Sequence, residues 1–255
     1  MKKKLMLFLL AALMLTTSAL AVQIPSDLMD ALYAGQGEPV TFTIKEDAFH
    51  AFSDILGPGA QYAAIIENPG TTAASVSKGE LQLLDKDGAV VSTIALYGST
   101  PYEVAPGGVA YVIQDYITLS EEDAARVASY KATINGFAYD EEPAQAAELP
   151  VTSAYTQEEV PNYFDEGKSY EGRVTVQIEN KTAATAYDVQ VISVLRGKDG
   201  KLLTITTSMA HDVGILPGTT IEMRNPASSG LVTKLVEQQT EPVTAESFAF
   251  LAPAE

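Results

Sequence analysis

Apolar and polar residues alternate with a period of two over much of this chain. Val174, Val176 and Ile178 fall on one side, and Arg173, Thr175, Gln177 and Glu179 on the other, as in a strand with one buried and one wet face. Tyr62, Ala64 and Ile66 repeat the pattern less cleanly. Residues 187–195 alternate through Val189 and Val191 and are matched by residues 80–84. Each run leads into Lys-Asp-Gly, at 86–88 and 198–200, and then into a second β-rich run at 90–96 or 202–207. A hairpin is therefore predicted twice. Pro106-Gly107 and Pro217-Gly218 have the order a type II turn needs, and further strands are expected at 109–113 and 219–223.

One helix is expected ahead of each closing strand. Ser120 precedes Glu121-Glu122-Asp123 and an alanine-rich turn, which reads as an N-cap with acids in the first turn. Residues 228–238 carry Leu231, Val232, Leu235 and Val236 as an apolar stripe. The closing strands end in the same-face pairs Phe137 and Tyr139, and Phe248 and Phe250, which are expected to seal the two cores.

These signals come in two sets. Ile66-Glu67-Asn68 lies 112 residues before Ile178-Glu179-Asn180, and Pro106-Gly107 lies 111 before Pro217-Gly218. Pro39-Val40-Thr41, Phe52, Asp87-Gly88 and Phe137-Ala138-Tyr139 find partners at Pro150-Val151-Thr152, Phe164, Asp199-Gly200 and Phe248-Ala249-Phe250. A period this long indicates a duplicated unit rather than a solenoid repeat. The expected organisation is a signal peptide at 1–21, an N-terminal segment with a short helix capped by Ser26 at 22–38, a first unit at 39–139, an acidic linker at 140–149, a second unit at 150–250 and a tail at 251–255. About seven short strands per unit, divided by turn signals, predict a mostly β fold of two tandem immunoglobulin-like antiparallel β-sandwiches, each with one short helix before its last strand.

Three lysines, an apolar run from Leu5 to Leu15 and Ala19-Leu20-Ala21 make up the export signal, with cleavage expected after Ala21. The mature chain is thus expected to be secreted, with no membrane insertion after cleavage. The chain has 33 acids against 16 Lys and Arg, a formal charge of −17, and no cysteine. Nucleic acid is excluded as a partner because it needs clustered cations. Without disulfides, each unit must be held by its own core.

Leu81-Gln82-Leu83-Leu84-Asp85, then Lys86-Asp87-Gly88 and a later Pro106-Gly107, resemble the FxLYD domain, a small β-sandwich of exported bacterial and archaeal proteins. Leu83 and Asp85 keep that motif, whereas Leu81 and Leu84 replace its aromatics, and the second unit departs further at Ser193, Leu195, Arg196 and Gly197. The resemblance implies an extracellular, non-enzymatic module and carries no catalytic or binding residue across.

Little in the chain advertises chemistry. Asp85-Lys86-Asp87-Gly88 has the look of a calcium loop, but the later ligands are missing and Gly197 stands where Asp85 would recur, so it reads as a plain turn. His50 and His211 are not equivalent between units and read as surface histidines; they are too few for a zinc site. No Gly-x-Ser-x-Gly elbow accompanies them. The acidic clusters Glu121-Glu122-Asp123, Asp140-Glu141-Glu142 and Glu158-Glu159 read as helix capping and solvated charge. Asn180-Lys181-Thr182 matches a glycosylation acceptor. Tyr97, Tyr102, Tyr111 and Tyr116 are dense in the first unit and unmatched in the second, which makes them the candidate ligand-binding residues if they share an outward face. No cofactor or metal is implied. The reading is a monomeric secreted binding or structural accessory module whose partner is an extracellular protein, peptide or glycan. Its alternative is a secreted hydrolase with a carboxylate site between the units. Pairing of a partner chain with an exposed, uncharged strand edge is a third possibility.

Overall fold

The computed structural model describes residues 37–138, 147–161, 168–211 and 213–251. The expected signal peptide, the helix after Ser26, most of the linker, Tyr139, Phe164 and the tail beyond Leu251 lie outside these residues. No helix among them is long and apolar enough to cross a membrane.

The fold is mostly β and wholly antiparallel. The first half runs β1 (Pro39–Thr41), β2 (Thr43–Asp54), β3 (Gly57–Glu67), β4 (Ala74–Leu84), β5 (Val90–Leu96), β6 (Glu103–Val104), β7 (Val109–Thr118), α1 (Glu121–Arg126) and β8 (Ser129–Ala138). The second runs β9 (Glu148–Leu149), β10 (Val151–Val160), β11 (Ser169–Glu179), β12 (Val189–Arg196), β13 (Leu202–Ala210), β14 (Thr220–Ala227), α2 (Ser229–Glu237) and β15 (Thr244–Phe250). Both expected helices form where the caps and stripe put them. Ser120 Oγ accepts from the Asp123 amide at 3.0 Å, and Leu231, Val232 and Leu235 of α2 are buried.

The strands pair in one scheme in both halves. In the first, β1-β8-β4-β5 forms an outer sheet and β2-β3-β7 an inner one; in the second, β9-β15-β12-β13 is inner and β10-β11-β14 outer. Two side chains of the matching tripeptides explain why those landmarks recur. Asn68, wholly buried, donates through Nδ2 to the carbonyls of Thr72 (2.9 Å) and Val104 (2.8 Å) and accepts from the Gly70 amide. Asn180, also wholly buried, donates to Ala184 (2.8 Å) and Ile215 (2.7 Å) and accepts from the Thr182 amide. The Asn68 and Asn180 carbonyls receive the amides of Gly107 and Gly218, each at positive φ in its Pro-Gly turn, where glycine carries no steric cost. Each Asn thus ties the loop that follows its own strand to the segment that carries the Pro-Gly turn, and in the folded chain Asn180 has no exposed amide to carry a glycan.

Each half has its own core. Tyr62, Ile66, Leu81, Leu83, Val112 and Ile134 fill the first, and Val174, Val176, Ile178, Val189, Leu195 and Val232 the second. A third core lies between the two inner sheets. Ala63, Ile65 and Tyr111 meet Ile192, Val194, Ile205 and Phe250 there, and Phe52 meets Leu203, Leu231 and Leu235 beside them. The described residues accordingly cluster as one compact unit. Phe248 and Phe250 do not seal the second sandwich, contrary to the sequence expectation. They face this seam, Phe248 stacked on Tyr111 at 5.4 Å and Phe250 tilted against it at 6.5 Å, while Ala249, the residue of opposite parity, faces the sandwich interior. The last two residues of the expected linker are a strand, with Leu149 buried and paired to Ala249.

Candidate functional site

The four candidate tyrosines do not share a face. Tyr97 and Tyr102 are 58% and 59% exposed in the loops after β5. Tyr111 is 7% exposed, stacked in the seam, where burial first and then the Glu246 charge push its phenol well up. Tyr116 is half-buried, edge-on to Phe52 at 5.8 Å, and donates to Asp54 Oδ1 at 3.1 Å. The geometry brings Tyr111 and Tyr116 to the seam and leaves only Tyr97 and Tyr102 outward.

The structure instead gathers polar side chains at the mouth of the seam. Asp47, Phe49 and His50 of β2 and Tyr130 of β8 face the Lys198-Asp199 turn and Gln238 to Glu241 across a cleft of about 570 Å³. The Asp47 carboxylate accepts from the hydroxyls of Tyr62 (3.2 Å) and Tyr130 (3.3 Å). Burial, reinforced by Asp47, pushes the Tyr130 phenol up to about 12 and the Tyr62 phenol further, so both remain donors at neutral pH. Phe49 leans on Tyr130 at 5.4 Å. A carboxylate acceptor, aromatic faces and side-chain amides suit a polar ligand with hydroxyl or amide groups.

His50 departs from the surface reading made of it. It is half-buried beside β13, hydrogen-bonded to the backbone of Leu203, and its pKa is lowered because burial outweighs that bond. Its Nε2 is buried without a partner. Nothing in a lone histidine on an alternating strand signals this, because the element covering it comes from the other half of the chain. His211 is exposed and lies 3.0 Å from Asp188.

The seam's carboxylates are engaged one by one. Glu46 receives Arg196 through two nitrogens, Nη2 at 2.9 Å, and that guanidinium holds Glu46 below the usual carboxylate range. Asp54 accepts from Tyr116 and from the Leu56 amide at 2.8 Å. Asp115 accepts from Gln61 across 3.4 Å. Among the described residues no three of His, Asp and Glu converge as metal ligands. Asp85 is spent on its own turn, accepting from the amides of Asp87 (3.0 Å) and Ala89 (2.9 Å). Glu158 pairs with Arg173 on the exposed outer sheet at 2.9 Å.

No protein-family model matches the chain, and no curated protein matches it. Among solved structures, red sea bream transglutaminase is similar at 13% identity and a TM-score of 0.22, over 83% of this chain and 30% of that one. A calcium-binding mutant of Bacteroides uniformis β-glucuronidase 2 is similar at 12% identity and a TM-score of 0.20, over 75% and 28%. The chain thus spans about a third of the length of these structures.

Proposed function

We propose that this is an exported, non-enzymatic protein of two duplicated β-sandwiches that acts as an extracellular binding or structural accessory module. The observation that carries the reading is the seam. A hydrolase working between the two halves would need a solvent-filled cleft with two facing carboxylates. The space between the inner sheets is instead packed with Ile65, Tyr111, Ile192, Val194, Ile205 and Phe250. Of the carboxylates at its rim and in the adjoining cleft, Asp47 is held by Tyr62 and Tyr130, Asp54 by Tyr116, Glu46 by Arg196, Asp115 by Gln61 and Asp199 by Lys201, so that Glu241 faces an Asp47 already engaged by two phenols. The shared pairing scheme supports duplication, the lysine-rich apolar N-terminus supports export, and the FxLYD resemblance supports an accessory role. The cleft around Asp47 and Tyr130 is the ligand site of this reading.

The test is a glycan and peptide array probed with the chain, run beside a broad hydrolase panel. Binding that is lost on Asp47→Asn together with Tyr130→Phe, without turnover of any panel substrate, is the expected result. Arrays that stay blank while a substrate is hydrolysed, with turnover lost on Asp47→Asn, would end the reading. Export is tested separately by sequencing the N-terminus of protein recovered outside the cell, which should begin at Val22.

A further inference from the structure

Among the described residues, three neighbouring clefts follow one another along β2. The cleft around Asp47 and Tyr130, of about 570 Å³, shares Phe49 and Tyr130 with a second of about 370 Å³. The second shares Ala51 with a third of about 570 Å³ that reaches Ser53. Residues 47–53 of a strand span about 20 Å, so the site already described is one end of a groove. Its walls come from both halves of the chain. α1 and the start of β8 supply one, and the turn before β13, α2 and the residues after α2 supply the other.

The charges on these walls nearly cancel. The acids are Asp47, Glu121, Asp199, Glu237 and Glu241, and the bases are Lys168, Lys198, Lys201 and Lys234. Lys168 is paired with Glu159 at 2.8 Å and Lys201 with Asp199 at 3.0 Å, and burial keeps His50 from adding a charge at neutral pH. A polyanion or polycation gains little from so mixed a lining. Gln238 and Gln239 add amides that both donate and accept. Asp47, with two phenols on it, keeps about two of a carboxylate's roughly four acceptor sites. Hydroxyl groups also donate and accept, and so suit each of these partners. The middle cleft is largely apolar, made by Phe49, Ala51, Val127, Ala128 and Tyr130. The rings of Phe49 and Tyr130, 5.4 Å apart, offer aromatic surface to the C–H side of a sugar. An extended peptide would instead take its affinity from an open main-chain edge, and here the main chain of Leu202 and Leu203 already bonds the side chains of Glu46 and His50 on β2.

We propose that the groove along β2 binds a neutral oligosaccharide of several sugars, with one ring against Phe49 and Tyr130 and hydroxyls bonded to Asp47, Glu241 and the two glutamines. This names the ligand class for the binding role proposed above and rests on that reading.

The probes are cello-, malto- and chito-oligosaccharides, from disaccharide to hexasaccharide, titrated calorimetrically into the full chain, with hexagalacturonate and hexalysine as charged controls. At least one neutral series should bind, about tenfold more tightly as hexasaccharide than as disaccharide. Its affinity should not change from low salt to about 0.5 M, and the charged hexamers should not bind. Phe49→Leu keeps apolar bulk, removes the ring and should weaken the hexasaccharide about tenfold. Ala51→Ile, at an exposed position where a β-branched residue suits a strand, narrows the groove between clefts and should bring the hexasaccharide down to the affinity of the disaccharide. No binding by any series, equal affinity at both lengths, preference for a charged hexamer, or binding untouched by both variants would overturn the proposal. Array peptides captured through the cleft while every sugar fails would sink the oligosaccharide alone, whereas blank arrays and turnover would sink the binding role beneath it.

Discussion

Thr204 Oγ1 donates to Gln61 Oε1 across 2.6 Å, and both residues are buried between the two inner sheets. This hydrogen bond joins residues of the two halves beside the apolar side chains of the seam. Thr204→Val preserves the shape and removes the donor, leaving Gln61 Oε1 without a partner in the dry seam. The expected loss is about 1–3 kcal/mol, read from the denaturant midpoint. Unchanged stability would mean that water reaches the site.

The seam also sets cooperativity. Ile205 is wholly buried there, and Ile205→Asp puts a charge with no cationic partner into the layer. Calorimetry should show one melting transition for the unaltered chain and two for this variant, as the halves lose their mutual support. A single, merely lower transition would show that the halves do not melt as separable bodies.

Asn68 and Asn180 should be costly to lose. Asn68→Ala strands the carbonyls of Thr72 and Val104 and the Gly70 amide in the core, and Asn180→Ala does the same to Ala184, Ile215 and the Thr182 amide. Each should destabilise by roughly 3 kcal/mol or more, since each unsatisfied buried group costs about 1–3. Thermal denaturation of the two variants checks this. A shift of only a degree or two in either would contradict the role assigned to it.

His50 predicts a pH dependence. Its pKa is lowered in the folded chain by burial, so the unfolded chain takes up its proton first as pH falls below about 6.5. Stability from this residue is therefore complete above that pH and declines as pH drops toward the folded value. Gln61 lies opposite it in the strand pair, and Asp47, Tyr130, Lys198, Asp199, Lys201 and Glu241 are the titratable groups around the shared cleft. The melting temperature of His50→Gln should fall less than that of the unaltered chain between pH 7 and 5.5. Parallel curves would assign the dependence to other groups.

Glu46 works in the same direction at lower pH. Arg196 lowers its folded pKa, so its contribution is present above the ordinary carboxylate value and is lost as pH falls through the folded one. The pair is part-exposed, 24% and 40% for its side chains, and solvent screening holds it to about 1 kcal/mol or less. Arg196→Met should remove that acid-range component, read as the difference between the two urea-unfolding curves at pH 6 and pH 3.

Strands and helix caps were legible in the sequence because they depend on near neighbours. Val174, Val176 and Ile178 announce one buried face, Ser120 announces a cap, and β5 begins and ends where its residue types say it should. The candidate tyrosines were not legible. Tyr111 and Tyr97 are alike as residues, and only the position of β15 makes one an interior group. A signal for the seam was nevertheless present. Ala60 to Ile66 is buried on both faces, and its loss of polar alternation, beside the cleaner Arg173-Thr175-Gln177 face of β11, marks a strand covered twice.

By itself the sequence determined most of the strands, the turns and the paired landmarks. Tertiary structure alone decided that the second face of β3 meets β12, β13 and β15, that His50 lies under β13, and that Phe248 and Phe250 turn away from their own sandwich. Residue pattern encodes how much apolar surface must leave water, since burial depends on area and carries no direction. Which surface does the covering depends on the packing of residues more than a hundred positions apart, as Gln61 and Thr204 are.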